Sequence, residues 1–367
     1  MQGTSDPAQA QGAQLPLQSF NLPDFPPSAR GLKALTLTSE IPVAQYSKLL
    51  TEPFSIPSTI PFGVESLTLE LFSLGYPVGF LARLAERLPN LKSVVIYSQL
   101  FSGTTQQSQD DAVEFFKRLQ NLRALHLLDV FARPGFFSST SKWLKYNTSD
   151  VPGEARRGLM FLEINYTYDH EDPDLMSKVA ATELHTLIAP GLISCSFNIS
   201  PPEEVPGQIS SSGKEGVMAF NESITAGIVD ALLREDSYPR GLKALNVTLF
   251  TMTLADLKRV LEKHKNVVIV NATLQLEPDA AIKRDILAAL EQSRKLEQFE
   301  VVGHPTLPFF IELASPGSKK FEESFPSLRD VGMLTGSLKS FKASILRSTS
   351  LGTIELMKSE QGWAKMS

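Results

Sequence analysis

Apolar residues recur along the chain in a fixed local pattern: one apolar residue, two variable residues, a second apolar residue, one variable residue and a third apolar residue. The clearest copies lie in residues 31–38 and 241–248, where the sequence GLKALTLT returns as GLKALNVT. Copies begin at Leu32, Val64, Leu91, Leu122, Leu159, Leu192, Leu242, Val267, Leu296 and Leu328. Their spacing of about 25 to 50 residues is typical of proteins built from stacked structural repeats.

Between these copies, apolar residues recur at helical spacing, which predicts amphipathic helices in residues 78–88, 111–119, 221–233, 254–261 and 279–290. Each repeat is therefore predicted to be one strand followed by one helix. Two stretches, residues 138–157 and 201–215, interrupt the order, and we predict that both are long exposed loops.

Alternating strands and helices build either an open solenoid or a closed (β/α)₈ barrel, in which both faces of every strand are buried. The fifth and seventh positions of the pattern point away from the apolar face, because side chains alternate along a strand. These positions are mostly polar, as at Thr36, Thr38, Thr68, Glu70, Glu163, Asn165, Ser196, Asn198, Asn246, Thr248, Asn271 and Thr273. We therefore predict an α/β open solenoid with a parallel sheet over residues 30–345, and the closed barrel is the alternative.

The layout over residues 31–333 resembles the leucine-rich-repeat family, in particular its irregular, long-repeat members of the ribonuclease-inhibitor-like and F-box-associated types. Members of that family usually carry an asparagine three residues after the last apolar position, where this chain has residues such as Glu40, Phe72 and Gln99. The resemblance implies a horseshoe-like sheet that binds a protein partner. An adaptor of the F-box type is a further alternative, although residues 1–30 contain no recognisable F-box.

The two ends of the chain lie outside the predicted repeats. Residues 1–29 are rich in Gln, Pro, Ser and Ala, which predicts a flexible arm, and residues 346–367 are interpreted as a tail. The N-terminus has no secretion-signal pattern, and no apolar run reaches the roughly 18 residues that a membrane span requires. We therefore expect a cytoplasmic or nuclear protein that does not insert in a membrane.

The composition excludes some classes of function. With 42% hydrophobic and 20% charged residues, the chain of 367 residues is expected to fold, and its net charge of −5 does not favour nucleic-acid binding. The single cysteine, Cys195, occupies an apolar position of the pattern, so we predict a buried, inert thiol and no intramolecular disulfide.

No motif for a catalytic nucleophile, a nucleotide or a metal stands out, and we predict no cofactor. Residues 169–174 contain four carboxylates and His170, and we interpret them as a helix start capped by Asp172, with a metal site as the alternative. An enzyme whose catalytic groups come from separate loops is the alternative to a binding function.

The leading hypothesis is a non-enzymatic module that presents the polar face of its sheet to a protein partner. The alignment of the copies predicts one patch made of Glu163, Asn165, Ser196, Asn198, Asn246, Thr248, Asn271, Thr273 and Glu300. A second candidate contact is Phe136, in the aromatic segment 131–137 with its Pro-Gly turn. For Phe136 the alternative is a ring packed beneath the helices.

Overall fold

The structure is a computed structural model that describes residues 12–145, 158–167, 172, 174–180, 183–200, 222–234, 241–278 and 281–366. Its strands form one open sheet in which the order of strands follows the order of the chain, from β1 to β13. The chain divides into two compact units, Met1–Ile164 with Ser177–Gly191, and Asn165–Met176 with Leu192–Ser367. The order of strands agrees with the predicted open solenoid.

The first unit contains parallel strands that alternate with helices. Its strands are β1 (Gly12–Leu17), β2 (Ala34–Ser39), β3 (Ser66–Glu70), β4 (Ser93–Tyr97) and β5 (Ala124–Leu128). Its helices are α1 (Val43–Leu49), α2 (Phe80–Arg87), α3 (Gln106–Arg118) and α4 (Phe136–Lys145), with short 3₁₀ helices at Pro27–Gly31 and Leu184–Leu187. Strand β6 (Phe161–Thr167) and helix α5 (Leu175–Ala180) cross the boundary between the units.

The second unit continues the same order and ends with two antiparallel strands. Its parallel strands are β7 (Ser194–Ser200), β8 (Ala244–Met252), β9 (Ile269–Leu276), β10 (Gln298–Pro305) and β11 (Ser340–Ile345). Strands β12 (Ser348–Ser359) and β13 (Gly362–Lys365) pair antiparallel. The helices are α6 (Glu222–Leu233), α7 (Leu254–Lys263), α8 (Ile282–Gln292), α9 (Leu307–Ala314), α10 (Lys320–Ser324) and α11 (Leu328–Gly332).

Burial follows the apolar pattern. In every copy except the one at Leu328, the apolar residues are at most 7% exposed and the copy forms a strand. The polar positions between them are mostly half-buried, as at Thr36 and Asn246. One buried face and one polar face identify an open sheet rather than a closed barrel, in which both faces are buried. The thiol of Cys195 is fully buried as predicted, and burial raises its pKa to about 12.

The second residue of each copy connects one repeat to the next through its backbone. The carbonyl oxygen of Lys33 accepts the N–H groups of Glu65 and Ser66, and the carbonyl of Glu65 accepts those of Lys92 and Ser93. In the second unit, the carbonyls of Ile193, Lys243, Val268 and Glu297 each accept two consecutive N–H groups in the same way. We refer to these bonds as the carbonyl ladder. It fixes the register at which neighbouring strands enter the sheet.

The predicted helices are present, and the first unit shows how two of them are joined. The N-cap residue of α2 is Gly79, which has a φ of +89° and provides no capping side chain. The buried carboxylate of Asp111 in α3 instead accepts the N–H groups of Leu81 and Ala82, at 3.1 and 3.0 Å. Burial raises the pKa of Asp111, and these two hydrogen bonds act in the opposite direction.

The predictions for the ends of the repeat region are wrong. Residues 12–29 are part of the first unit, because β1 pairs with β2 and because Phe20 is buried within 6.2 Å of the rings of Tyr46, Phe72, Tyr76 and Phe80. Residues 348–359 and 362–365 are strands rather than a tail. The residues of the predicted copy at Leu328 form helix α11 instead of a strand, and Ser327 caps this helix. The next strand, β11, belongs to a copy that begins at Leu338. Residues 1–11 lie outside the described residues.

The other segments singled out in the sequence are only partly described. Helix α4 occupies the beginning of the predicted loop 138–157, so that prediction is wrong for residues 138–145. Residues 146–157 and 201–215 lie outside the described residues, as does His170. The carboxylate of Asp172 accepts the N–H of Asp174 at 3.1 Å, as expected at a helix start. No helix within the described ranges is both long enough and apolar enough to cross a membrane.

Candidate functional site

The polar face of the second unit carries a row of side chains in strict register. The strand pairing places one residue of each strand from β7 to β12 in this row, which consists of Ser196, Asn246, Asn271, Glu300, Lys342 and Glu355. Neighbouring strands lie about 4.8 Å apart, so adjacent members of the row are close enough to contact one ligand together. Three uncharged polar residues occupy one end of the row and three charged residues occupy the other.

A cleft of about 510 Å³ lies along this row. It is lined by Asn198, Ile199, Asn246, Thr248, Asn271, Glu300, Val302, Lys342, Ser344, Arg347, Thr353 and Glu355. Every strand from β7 to β12 contributes at least one of these residues, and all of them belong to the second unit. The cleft volume is within the range of about 300 to 1,000 Å³ that is typical of ligand sites.

A bulge in β8 forms part of the cleft wall. Val247 pairs with Ala272 and Thr251 pairs with Thr273, so residues 248–250 have no partners on β9. The side chain of Asn246 holds this bulge, because its Oδ1 accepts hydrogen bonds from the N–H of Thr248 at 3.2 Å and from the hydroxyl of Thr248 at 2.9 Å. The hydroxyl of Thr273 donates to the carbonyl of Thr248 at 3.1 Å. Side chains thus replace the missing strand pairing.

The charged end of the cleft combines two carboxylates with two cations. The Nζ of Lys342 lies 3.6 Å from the Oε1 of Glu300, and Glu355 is the strand partner of Lys342. Arg347 enters the cleft from the turn between β11 and β12. Neighbouring protein atoms lower the pKa of Arg347, and the charge of Glu300 opposes this effect. The formal charges of these four side chains sum to zero.

The uncharged end contains an acceptor without a partner. The Oδ1 atom of Asn198 is buried and accepts no hydrogen bond from the described residues. The side chain of Asn271 also makes no hydrogen bond within the described part of the chain, in contrast to that of its strand partner Asn246. A buried carbonyl oxygen that lacks a donor is unfavourable by about 1 to 3 kcal/mol. Because the Oδ1 atom of Asn198 is buried, a ligand in the cleft does not reach it, whereas the half-buried side chain of Asn271 lines the cleft.

The structure brings together five of the nine residues in the predicted patch, namely Asn198, Asn246, Thr248, Asn271 and Glu300. Ser196 extends the row beside Asn246, and Asn165 accepts a hydrogen bond from the hydroxyl of Ser200 at 3.1 Å. Glu163 belongs to the first unit, where its Oε2 lies 2.8 Å from the Nδ1 of His126.

Three residues predicted as partner contacts are buried. Thr248 is 6% exposed, although it lines the cleft, and the predictions for Thr273 and Phe136 are corrected. Thr273 is 0% exposed, because its hydroxyl is bonded to the bulge of β8. Phe136 is also 0% exposed and packs against the rings of Phe101, Phe116 and Phe137. The alternative stated for Phe136, a ring packed in the interior, is the one observed.

Two apolar residues of the cleft wall, Ile199 and Val302, were not predicted from the sequence. Five polar residues of the wall were also not predicted, namely Lys342, Ser344, Arg347, Thr353 and Glu355. All five polar residues follow the copy that was placed at Leu328 instead of Leu338. The segment from Leu338 to Ala343 does match the apolar pattern, with Phe341 at its second apolar position. That match is the signal that would have added Lys342 to the row.

Neither a protein-family model nor a curated protein matches the chain. Similar solved structures include the leucine-rich repeat-containing protein LegL7 from Legionella pneumophila, with 14% identity over 91% of this chain and 95% of that chain, and a TM-score of 0.37. The Rad7 and Elc1 complex in yeast matches with 12% identity, 74% and 69% coverage and a TM-score of 0.31. An internalin (inlF) from Listeria monocytogenes matches with 11% identity, 82% and 81% coverage and a TM-score of 0.31. The alternating order of strands and helices is established by the register and burial of this chain's own strands.

Proposed function

We propose that the protein is a non-enzymatic interaction module that binds a protein partner on the polar face of the second unit. The observation that carries this proposal is the row of six residues in register from Ser196 to Glu355, together with the cleft along it. Such a row is preorganised by the strand pairing, so a partner does not have to order it on binding.

The chemistry of the row suits a protein segment. Asparagine side chains both donate and accept hydrogen bonds, as peptide groups do, and the hydroxyl group of Thr353 can do the same. Charged side chains of both signs also select the orientation of the bound segment, because they attract unlike charges and repel like charges. A segment of matching polarity and charge therefore finds hydrogen-bond and ion-pair partners along the row.

The test compares affinities for a partner that is purified with the protein from its native source. The double variant Asn271→Lys with Glu300→Lys changes the charge in the middle of the row, whereas Lys258→Glu changes an exposed residue of α7 and is the control. We expect the double variant to bind at least about tenfold more weakly, with an altered dependence on salt, and the control to bind as the wild type does. Equal affinity of the double variant and the wild type contradicts the proposal.

A further inference from the structure

The turn between β11 and β12 holds Arg347 in an unfavourable backbone conformation. Ile345 pairs with Ser348, so Leu346 and Arg347 alone form the turn, and their φ angles are +49° and +56°. Hairpin turns of this kind favour asparagine and glycine, because the left-handed region is unfavourable for residues with larger side chains. The N–H of Leu346 donates to the carbonyl of Gly303 at 2.9 Å and attaches the turn to β10. Such strain is often found at functional positions.

Arg347 is also a cation of the cleft wall that is available to form an ion pair with a ligand. Lys342 lies beside Glu300 at 3.6 Å, whereas Arg347 forms no ion pair with any described residue. Glu355 balances the formal charge of the cleft, but no ion pair within the described part of the chain engages the guanidinium of Arg347, so this group can pair with a carboxylate of a ligand. A guanidinium group has five N–H donors in a planar arrangement that matches a carboxylate.

The dimensions of the cleft define the length of its occupant. From β7 to β12 there are five steps between neighbouring strands, which at about 4.8 Å each give a length of about 24 Å. An extended chain advances about 3.3 Å per residue, so about seven residues span the cleft. Asn198 lies at the β7 end, and Arg347 lies at the β12 end.

We propose that the cleft binds an extended segment of about seven residues that crosses the strands and places an acidic side chain against Arg347. This inference rests on the proposed function and adds the chemistry of the partner to it. Arg347 selects the acidic residue through a paired hydrogen bond to the carboxylate. Asn271, between the two ends, has an amide free to bond the backbone of the segment.

The experiment uses the full chain and a phage-displayed library of random octapeptides as the probe. Selected peptides are synthesised with a fluorescent label, and their affinities are measured by anisotropy. We expect an acidic residue at one position of the selected peptides and a loss of affinity of at least about tenfold with Arg347→Gly. Glycine is favoured at a positive φ, so this variant is expected to melt no lower than the wild type, and weaker binding by it does not reflect unfolding.

Two further variants separate this inference from the proposed function. Replacing the acidic residue of the peptide by its amide should cause little additional loss in Arg347→Gly, because the two changes remove the same interaction. Peptides that lose affinity for Asn271→Lys but bind Arg347→Gly as tightly as the wild type overturn the acidic contact and leave the proposed function in place. Peptides that bind all variants equally, or a library that gives no binders, overturn both.

Discussion

The row contains two neighbouring asparagines that are expected to differ sharply in their effect on stability. Asn246 and Asn271 are strand partners in β8 and β9, and both are half-buried. Asn246 accepts two hydrogen bonds from Thr248, which is 6% exposed, whereas the side chain of Asn271 bonds no described residue. The pair therefore separates an asparagine that supports the fold from one that is available to a partner.

The expected magnitudes follow from these contacts. Asn246→Ala removes both bonds and leaves the N–H of Thr248 in the bulge without an acceptor. At about 1 kcal/mol per hydrogen bond, with a further penalty for the buried donor, the cost is about 2 kcal/mol. Asn271→Ala should cost less than about 0.5 kcal/mol, as is usual at positions without such bonds.

The assay is urea unfolding at equilibrium, followed by circular dichroism and by tryptophan fluorescence so that two-state behaviour is checked. The wild type and the two alanine variants are compared at one pH and one salt concentration. If Asn246→Ala and Asn271→Ala lower the free energy of unfolding by the same amount, the bonds to Thr248 do not hold the bulge, and our distinction between the two asparagines is wrong.

Three other predictions concern stability. Asp111→Ala should cost about 2 to 3 kcal/mol in urea unfolding because two amides of α2 lose their acceptor, whereas the exposed neighbour Asp110→Ala should cost less than about 0.5 kcal/mol. Gly352→Ala should lower the melting temperature by several degrees, since Gly352 has a φ of +130° and an added Cβ would collide with the ring of Phe321; an unchanged melting temperature contradicts that packing. Burial lowers the pKa of His264 below 6.5, so the stability that neutral His264 provides is present above this pH and is lost as the pH falls. The melting temperature of His264→Gln should therefore depend less on pH below 6.5 than that of the wild type.

The parts of the fold that were predicted correctly are those that depend on the alternation of side chains along each strand. Residues such as Leu35 and Leu245 are buried because every second side chain of a strand faces the helices, and this period is visible in the sequence. The error at Leu328 has a physical origin, since the first two apolar positions of the pattern are three residues apart, which is also the spacing of one helix face. The Ser327 to Asp330 capping box was the signal for a helix.

The remaining errors concern features that depend on distant pairing. Strand β1 contains Pro16 and has only two large apolar residues, Leu15 and Leu17, and it is a strand because β2 pairs with it. The burial of Thr273 results from three extra residues in the neighbouring strand, which no property of the sequence around Thr273 indicates. Arg347 lines the cleft because β12 turns back along β11, and this pairing joins residues that the repeat pattern does not include.

The carbonyl ladder also has a consequence for synthesis on the ribosome. At each step the acceptor belongs to the earlier repeat and the two donors belong to the later one, as between Lys33 and Glu65. A nascent repeat can therefore pair with groups that have already been translated, without waiting for residues farther along the chain. At about 5 to 20 residues per second, a repeat emerges within a few seconds, which is much longer than the microseconds that a helix needs to form. The direction of the ladder thus favours assembly in the order of translation.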